Sequence, residues 1–420
     1  MVTWASASAQ ATLPSDFSVA QPMIPSRAFS ITDFGAVGDG TTLNTDAFQK
    51  VAAACVKAGG GTINVPAGKF LTGPFVLYSN INLHLEAGSV IQFSDRIADL
   101  KVTDAGFEND ISARECHDIA ITGSGTIDGN GAYFWRNFVE PKNDPYDDPW
   151  MPHRPRLIAL TRCTRVLVQG VTLTNSPMFH LVPAQCRDVT IDGIRIKSPS
   201  NSPNTDGIDP TGINFVITRC TFDTGDDDIA VKGSTRLDPK SFACENFLIS
   251  NCTFLHGHGM SIGSESYGGV RNMLVRDCTF DGTEAGIRLK SPRGRGGVAE
   301  NLTYENLTMK NVKNSILITS WYPKIPTHPE QYPAHPVGER TPIWRHIRIS
   351  NVTSVGGSIA GQIVGLPEML VDDVVLENVH VSASKPIQIM YARGIRFINC
   401  DISATSGKPL LYNAEVEGLQ

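Results

Sequence analysis

A short alternation of apolar and polar positions recurs along the chain. It reads apolar-x-apolar-x, then a polar residue such as Asn, Asp or Arg, then a second short β-type run. Copies begin at Val166 (VLVQGVTL), Val189 (VTIDGIRI), Phe215 (FVITRCTF), Phe247 (FLISNCTF) and Met273 (MLVRDCTF), and continue at Leu302, Ile347, Val374 and Ile395. Successive copies lie 21 to 32 residues apart, except for one interval of 45. A second strand follows most of them. Its apolar positions, Ile229/Val231, Met260/Ile262, Ile287/Leu289, Ile316/Ile318 and Ile387/Ile389, are spaced to point inward while their neighbours point out.

Coils of this length, each with several short strands, predict an all-β right-handed parallel β-helix in which every coil buries its inner side chains on the next. A propeller blade needs about 40 residues per unit, and a leucine-rich repeat shows a leucine consensus that is absent here. One helix is expected as a lid over the N-terminal end. Asn44 is placed to cap it, residues 45–57 carry an apolar stripe of Ala47, Phe48, Val51, Ala52 and Cys55, and Gly59 ends it. The expected organisation is an irregular lead-in over 1–28 and a single β-helix domain over 29–420.

Two stretches break the rhythm. Residues 130–156 and 321–345 are long and rich in Pro and aromatics, which suits cleft walls that stack on sugar rings; self-packing surface loops are the alternative. Four Asn-x-Thr sequences, at Asn251, Asn301, Asn306 and Asn351, have the form of glycosylation acceptors. Three of them fall inside the repeat, where Asn suits a turn between strands.

Composition narrows the function. No apolar stretch approaches the roughly 20 residues of a membrane span. The net charge is 36 − 42 = −6, which argues against a nucleic-acid partner. Nine cysteines form no C-x-x-C pair, so a zinc ribbon is not indicated; disulfides and simple burial both remain open. Small residues at positions 7–11 resemble the end of a secretory signal without its basic and apolar regions, and the alternative is a plain tail. A secreted or periplasmic protein is the expectation, with a monomer favoured.

Candidate chemistry clusters on consecutive coils. Asn204-Thr205-Asp206 is followed by Gly225-Asp226-Asp227, then Gly257-His258-Gly259, then Arg288-Leu289-Lys290. Counting from the first strand pairs His258 with Asp226; counting back from the second pairs it with Asp227. Carboxylates this close repel one another, which raises the pKa of at least one and makes a general acid, while an ionised partner activates water. That is the minimum set for glycoside hydrolysis. Arg288 and Lys290 take outward positions suited to an anionic sugar. Lys232 aligns with Lys290, and the small residues Ala230 and Ser261 leave room for a ligand. Arg293 and Arg295 add to a local positive field that offsets the net charge.

In these four ordered segments the sequence resembles glycoside hydrolase family 28, the polygalacturonases. The similarity extends from Phe34-Gly35-Ala36-Val37-Gly38-Asp39-Gly40 through Asn175-Ser176-Pro177 to Arg295-Gly296-Gly297. The resemblance implies an inverting hydrolase of α-1,4-linked galacturonic acid, with no metal or other cofactor and an acidic polysaccharide, polygalacturonate or pectin, as its partner. Asp226 would be the general acid, Asp206 and Asp227 would hold and deprotonate water, and His258 would tune the acid. The implied substrate-binding set is Asn204, Lys232, Arg288, Lys290 and Tyr322. Two positions depart from the pattern. Leu289 replaces Ile at an inward site, and Asp228 stands where many members have Cys or a small residue, either to raise neighbouring pKa values or as a turn residue. Exo-action is expected from the two insertions and from Gly263-Ser264-Glu265. Rhamnogalacturonan and xylogalacturonan are alternative substrates. A Ca²⁺-dependent lyase and a non-catalytic carbohydrate-binding β-helix are the competing classes.

Overall fold

The computed structural model describes residues 13–14, 16–103, 106–137, 154–233 and 244–419. The signal-like residues 7–11 and most of the 130–156 insertion lie outside the described residues. The chain divides into two compact units: Ser18–Val231 with Asn251–Ser261, and Met1–Phe17 with Lys232–Ser250 and Ile262–Gln420. Each is a stack of parallel coils, and the fold is the right-handed parallel β-helix.

In the first unit three apolar columns run up the stack in register. One is Ile81, Ile119, Val166, Val189 and Phe215. A second is Phe70, Ile91, Ile127, Leu173, Ile196, Phe222 and Phe254. The third is Phe75, Ile111, Ile158, Leu181, Ile208 and Ile229. These side chains are buried, and each contributes about 1.5–3 kcal/mol by leaving water. The repeat therefore starts at least three coils before Val166. The earlier coils escape the sequence pattern because Glu86-Ala87-Gly88 and Gly123-Ser124-Gly125 replace the single polar turn residue.

The second unit has its own column in register, Phe247, Met273, Leu302, Ile347 and Val374. Leu289, Ile318, Ile363 and Ile389 stack beside them. Leu302 pairs with Ile347 despite the interval of 45, so the 321–345 insertion leaves the coil without shifting its register. All ten residues expected to point inward from the second strands are fully buried.

The turns explain the polar residue of the repeat. Asn251, Asn301, Asn306 and Asn351 all have φ between 53° and 57° in the left-handed region, where Asn costs less than other residues. The amides of Asn306 and Asn351 belong to a ladder. Asn306 donates to Asp277, Asn351 to Asn306, Asn378 to Asn351 and Asn399 to Asn378, at 2.6–3.1 Å. All nine cysteines carry thiols; seven are buried, and Cys116 and Cys400 are half-buried.

The lid helix spans Thr45–Lys57, as the spacing predicts, and ends at Gly59 with φ 84°. Its capping differs from expectation. The Asn44 side chain makes no cap hydrogen bond. It accepts from the Val37 N–H and donates to the Val37, Thr42 and Leu71 carbonyls, tying the lid to the first coil instead. Phe48 stacks on Phe75 at 4.6 Å, and Phe75 on Phe93 at 6.0 Å, which joins the lid to the core.

Candidate active site

The third column of the first unit positions the acids. Ile208 and Ile229 are bridged on successive coils, so Asp206 and Asp227, each two residues earlier, lie one above the other. Backbone hydrogen bonds fix this arrangement. Gly207 N–H donates to the Asp227 carbonyl at 2.8 Å, and His258 N–H to the Asp226 carbonyl at 2.8 Å.

Asp226 and His258 form the centre. His258 Nδ1 is 3.0 Å from Asp226 Oδ1 and 3.8 Å from Asp227 Oδ1, so the histidine sits nearer Asp226. The Asp226 side chain is 23% exposed and that of Asp227 only 2%. Asp226 Oδ1 accepts the Asp227 N–H at 2.8 Å, and the Asn204 amide donates toward its Oδ2 at 3.5 Å. Asp227 Oδ1 accepts the Ser261 hydroxyl at 2.8 Å. Ser261 and Ala230 are fully buried, so they wall the site rather than open it to a ligand. One accessible carboxyl beside one buried, hydrogen-bonded carboxyl is the asymmetry an acid–base pair requires. Donor atoms of Asp226, Asp227 and His258 lie within 4.8 Å of one another, and these are the residues able to hold a cation if one binds.

The Gly-His-Gly motif has a steric cause. Gly257 and Gly259 have φ of 94° and 79°. A Cβ at Gly257 would meet the Asp226 carbonyl and Thr224 Oγ1 at 2.5 Å. Asp228 holds this turn. It is completely buried, accepts the Thr224 hydroxyl at 2.8 Å and the Gly259 N–H at 3.1 Å, and burial pushes its carboxyl well above the usual range. Asp228 thus serves the His258 turn through both of its oxygens.

Two residues near the acids escaped the sequence reading. Arg154 is buried, and its guanidinium donates to the Pro177 and Pro203 carbonyls at 2.9 and 2.8 Å and to Asn204 Oδ1 at 2.6 Å. His180 is fully buried, and its Nδ1 lies 3.0 Å from the Asp206 carbonyl. The Ser176 N–H points at its Nε2 from 3.4 Å, which places the ring proton on Nδ1. Burial pulls its pKa down to about 4, so the ring is neutral. Only the nearby Asn175-Ser176-Pro177 was a signal for either.

The second unit carries the cations. Arg288 and Lys290 flank inward Leu289 on the strand Ala285–Lys290 and are 8% and 3% exposed. Lys290 Nζ stands 5.2 Å from the centre of the Tyr322 ring. Lys232 Nζ lies 3.9 Å from Glu265, which also meets Arg295 at 3.5 Å. Arg293 is clamped by Glu368 at 2.6 and 2.9 Å and stacks on Trp321. Arg293 and Arg295 are thus ion-paired, which weakens the local field expected of them. Of the 321–345 aromatics, Trp321 and Trp344 are buried and bonded to Gly365 and Ser320, as self-packing residues.

The family model described as Glycosyl hydrolases family 28 matches residues 55–396. The chain belongs to this family. As a family 28 member it is a glycoside hydrolase. A polygalacturonase of Juniperus ashei is 36% identical over 70% of the chain, which spans 57% of that longer relative. An endo-polygalacturonase of Pectobacterium parmentieri is 32% identical, over 80% of the chain and 82% of the relative. The crystal structure of a hyperthermoactive exopolygalacturonase from Thermotoga maritima superposes with TM-score 0.79 at 29% identity, covering 91% of this chain and 93% of the other.

Proposed function

We propose that this family 28 member is a secreted hydrolase of the galacturonan backbone of pectin. Residues 29–420 act as one catalytic domain that cleaves α-1,4 linkages with inversion. Asp226 donates the proton to the leaving oxygen; it is the more exposed carboxyl and lies 3.0 Å from His258, which tunes its protonation. Asp206 and Asp227, stacked on successive coils, hold and deprotonate water. Asn204 orients Asp226, and Arg288 and Lys290 bind the sugar carboxylate through charge, as their motif implies. Tyr322 and Lys232 complete the substrate set. The observation that carries this reading is the Asp226–Asp227–His258 cluster, built on the ordered family motifs.

The proposed mode of attack is exo. The Thermotoga maritima exopolygalacturonase and the Glu265 segment support it. The test is digestion of polygalacturonate with time-resolved product analysis, alongside Asp226→Asn and Asp227→Asn. Early mono- or digalacturonate, abolished in both variants, is expected. An early ladder of mixed oligomers contradicts exo-action, and near-normal release by both variants contradicts the site.

A further inference from the structure

Arg154 interacts electrostatically with Asp206 and Asp226 and is itself buried, at 9% exposure. Removing a cation from water is costly unless its donors are used, and here they bind the Pro177 and Pro203 carbonyls and the Asn204 amide oxygen. Arg has no acceptor. Its bond to Asn204 Oδ1 therefore decides the amide orientation and turns the Asn204 NH₂ toward Asp226 Oδ2 at 3.5 Å. The Pro203 carbonyl bond fixes the same segment three residues ahead of Asp206.

We infer that Arg154 is a positioning residue: it orients Asn204 onto the general acid, and its charge stands against Asp206 and Asp226. The inference rests on the catalytic roles proposed above. Among the described residues, the charged groups facing the guanidinium include Asp206 and Asp226, with Asp227 and His258 adjoining Asp226. Burial pulls the Arg154 pKa down to about 10 while Asp206 and Asp226 oppose the fall, so it remains a cation at any pH where pectin is hydrolysed. A neighbouring Arg lowers an Asp by roughly 1–3 pKa units. Its removal raises both carboxyls. The base then needs a higher pH to ionise and the acid keeps its proton to a higher pH, so both limbs of the rate profile move alkaline.

The test compares pH profiles of kcat/KM on polygalacturonate for wild type, Arg154→Met and Arg154→Lys, with thermal unfolding of each. Arg154→Met is expected to shift both limbs up by about one pH unit. Arg154→Lys keeps the charge and leaves the limbs in place, but loses the multiple bonds to Asn204 and the two carbonyls. Its kcat is expected to fall about 10- to 100-fold with little change in KM. A folded Arg154→Met with unmoved limbs overturns the electrostatic role, and wild-type kcat in Arg154→Lys overturns the positioning role. If Arg154→Met does not fold, the Arg154→Lys result decides alone. An inactive wild type, or active Asp226→Asn and Asp227→Asn, instead shows that the catalytic reading has failed.

Discussion

Asp228 gives a quantitative test of how the site is held. Replacing it with Ala leaves the Gly259 N–H buried without its acceptor and takes one partner from the Thr224 hydroxyl. The unsatisfied Gly259 N–H costs about 1–3 kcal/mol, whereas the Thr224 hydroxyl keeps the Asp226 carbonyl as its acceptor, so the loss comes to about 1–3 kcal/mol. Asp228→Asn keeps an acceptor of the same shape. Burial raises the folded pKa of Asp228 above its unfolded value of 3.8. Its stabilising protonation is thus fully present below that unfolded value and is lost as pH rises toward the folded pKa, at up to about 1.4 kcal/mol per pH unit. Asn does not titrate. Urea midpoints followed by far-UV circular dichroism should place Asp228→Ala well below wild type at pH 4. Asp228→Asn should gain on wild type between pH 4 and pH 7. Equal midpoints for the Ala and Asn variants, or a wild type that gains on Asp228→Asn as pH rises, would refute the reasoning.

Gly257→Ala forces Cβ to within 2.5 Å of the Asp226 carbonyl at φ 94°, so activity should drop by more than 100-fold, measured by reducing-end release, with KM less affected. Arg288→Ala should raise KM for polygalacturonate at least 10-fold, and the loss should shrink on methyl-esterified pectin, which lacks the charge. Dialysis against EDTA should leave activity unchanged, because every proposed catalytic step runs through side chains; loss restored by Ca²⁺, with ultraviolet-absorbing products, would point to a lyase.

Much of the architecture was legible because a solenoid repeats one local rule. Val166, Val189 and Phe215 pair as their spacing predicts, since a one-residue slip would turn every inward side chain out. The acids and His258 were legible for the same reason: their coils keep a common register. Arg154 was not. It reaches Asn204 across 50 residues of sequence, from a Pro-rich segment with no periodicity. His180 was hidden because a single histidine on an apolar run reads as core, and its partner is a backbone carbonyl that no side-chain pattern announces. Asn44 was misread because its position before a helix fits a cap, whereas three carbonyls and an N–H from other segments claim its amide. Ser261 was read as a small residue that leaves room for a ligand, but its hydroxyl donates to Asp227.

The most direct test of the central claim is the stereochemistry of the first product. Proton NMR of polygalacturonate digested in D₂O at high enzyme concentration resolves the new reducing end before it mutarotates. The arrangement of Asp226 as acid, with Asp206 and Asp227 activating water, predicts the β-anomer first and the α-anomer only as equilibrium is reached. Initial appearance of the α-anomer would mean a covalent glycosyl-enzyme, and these roles would be wrong.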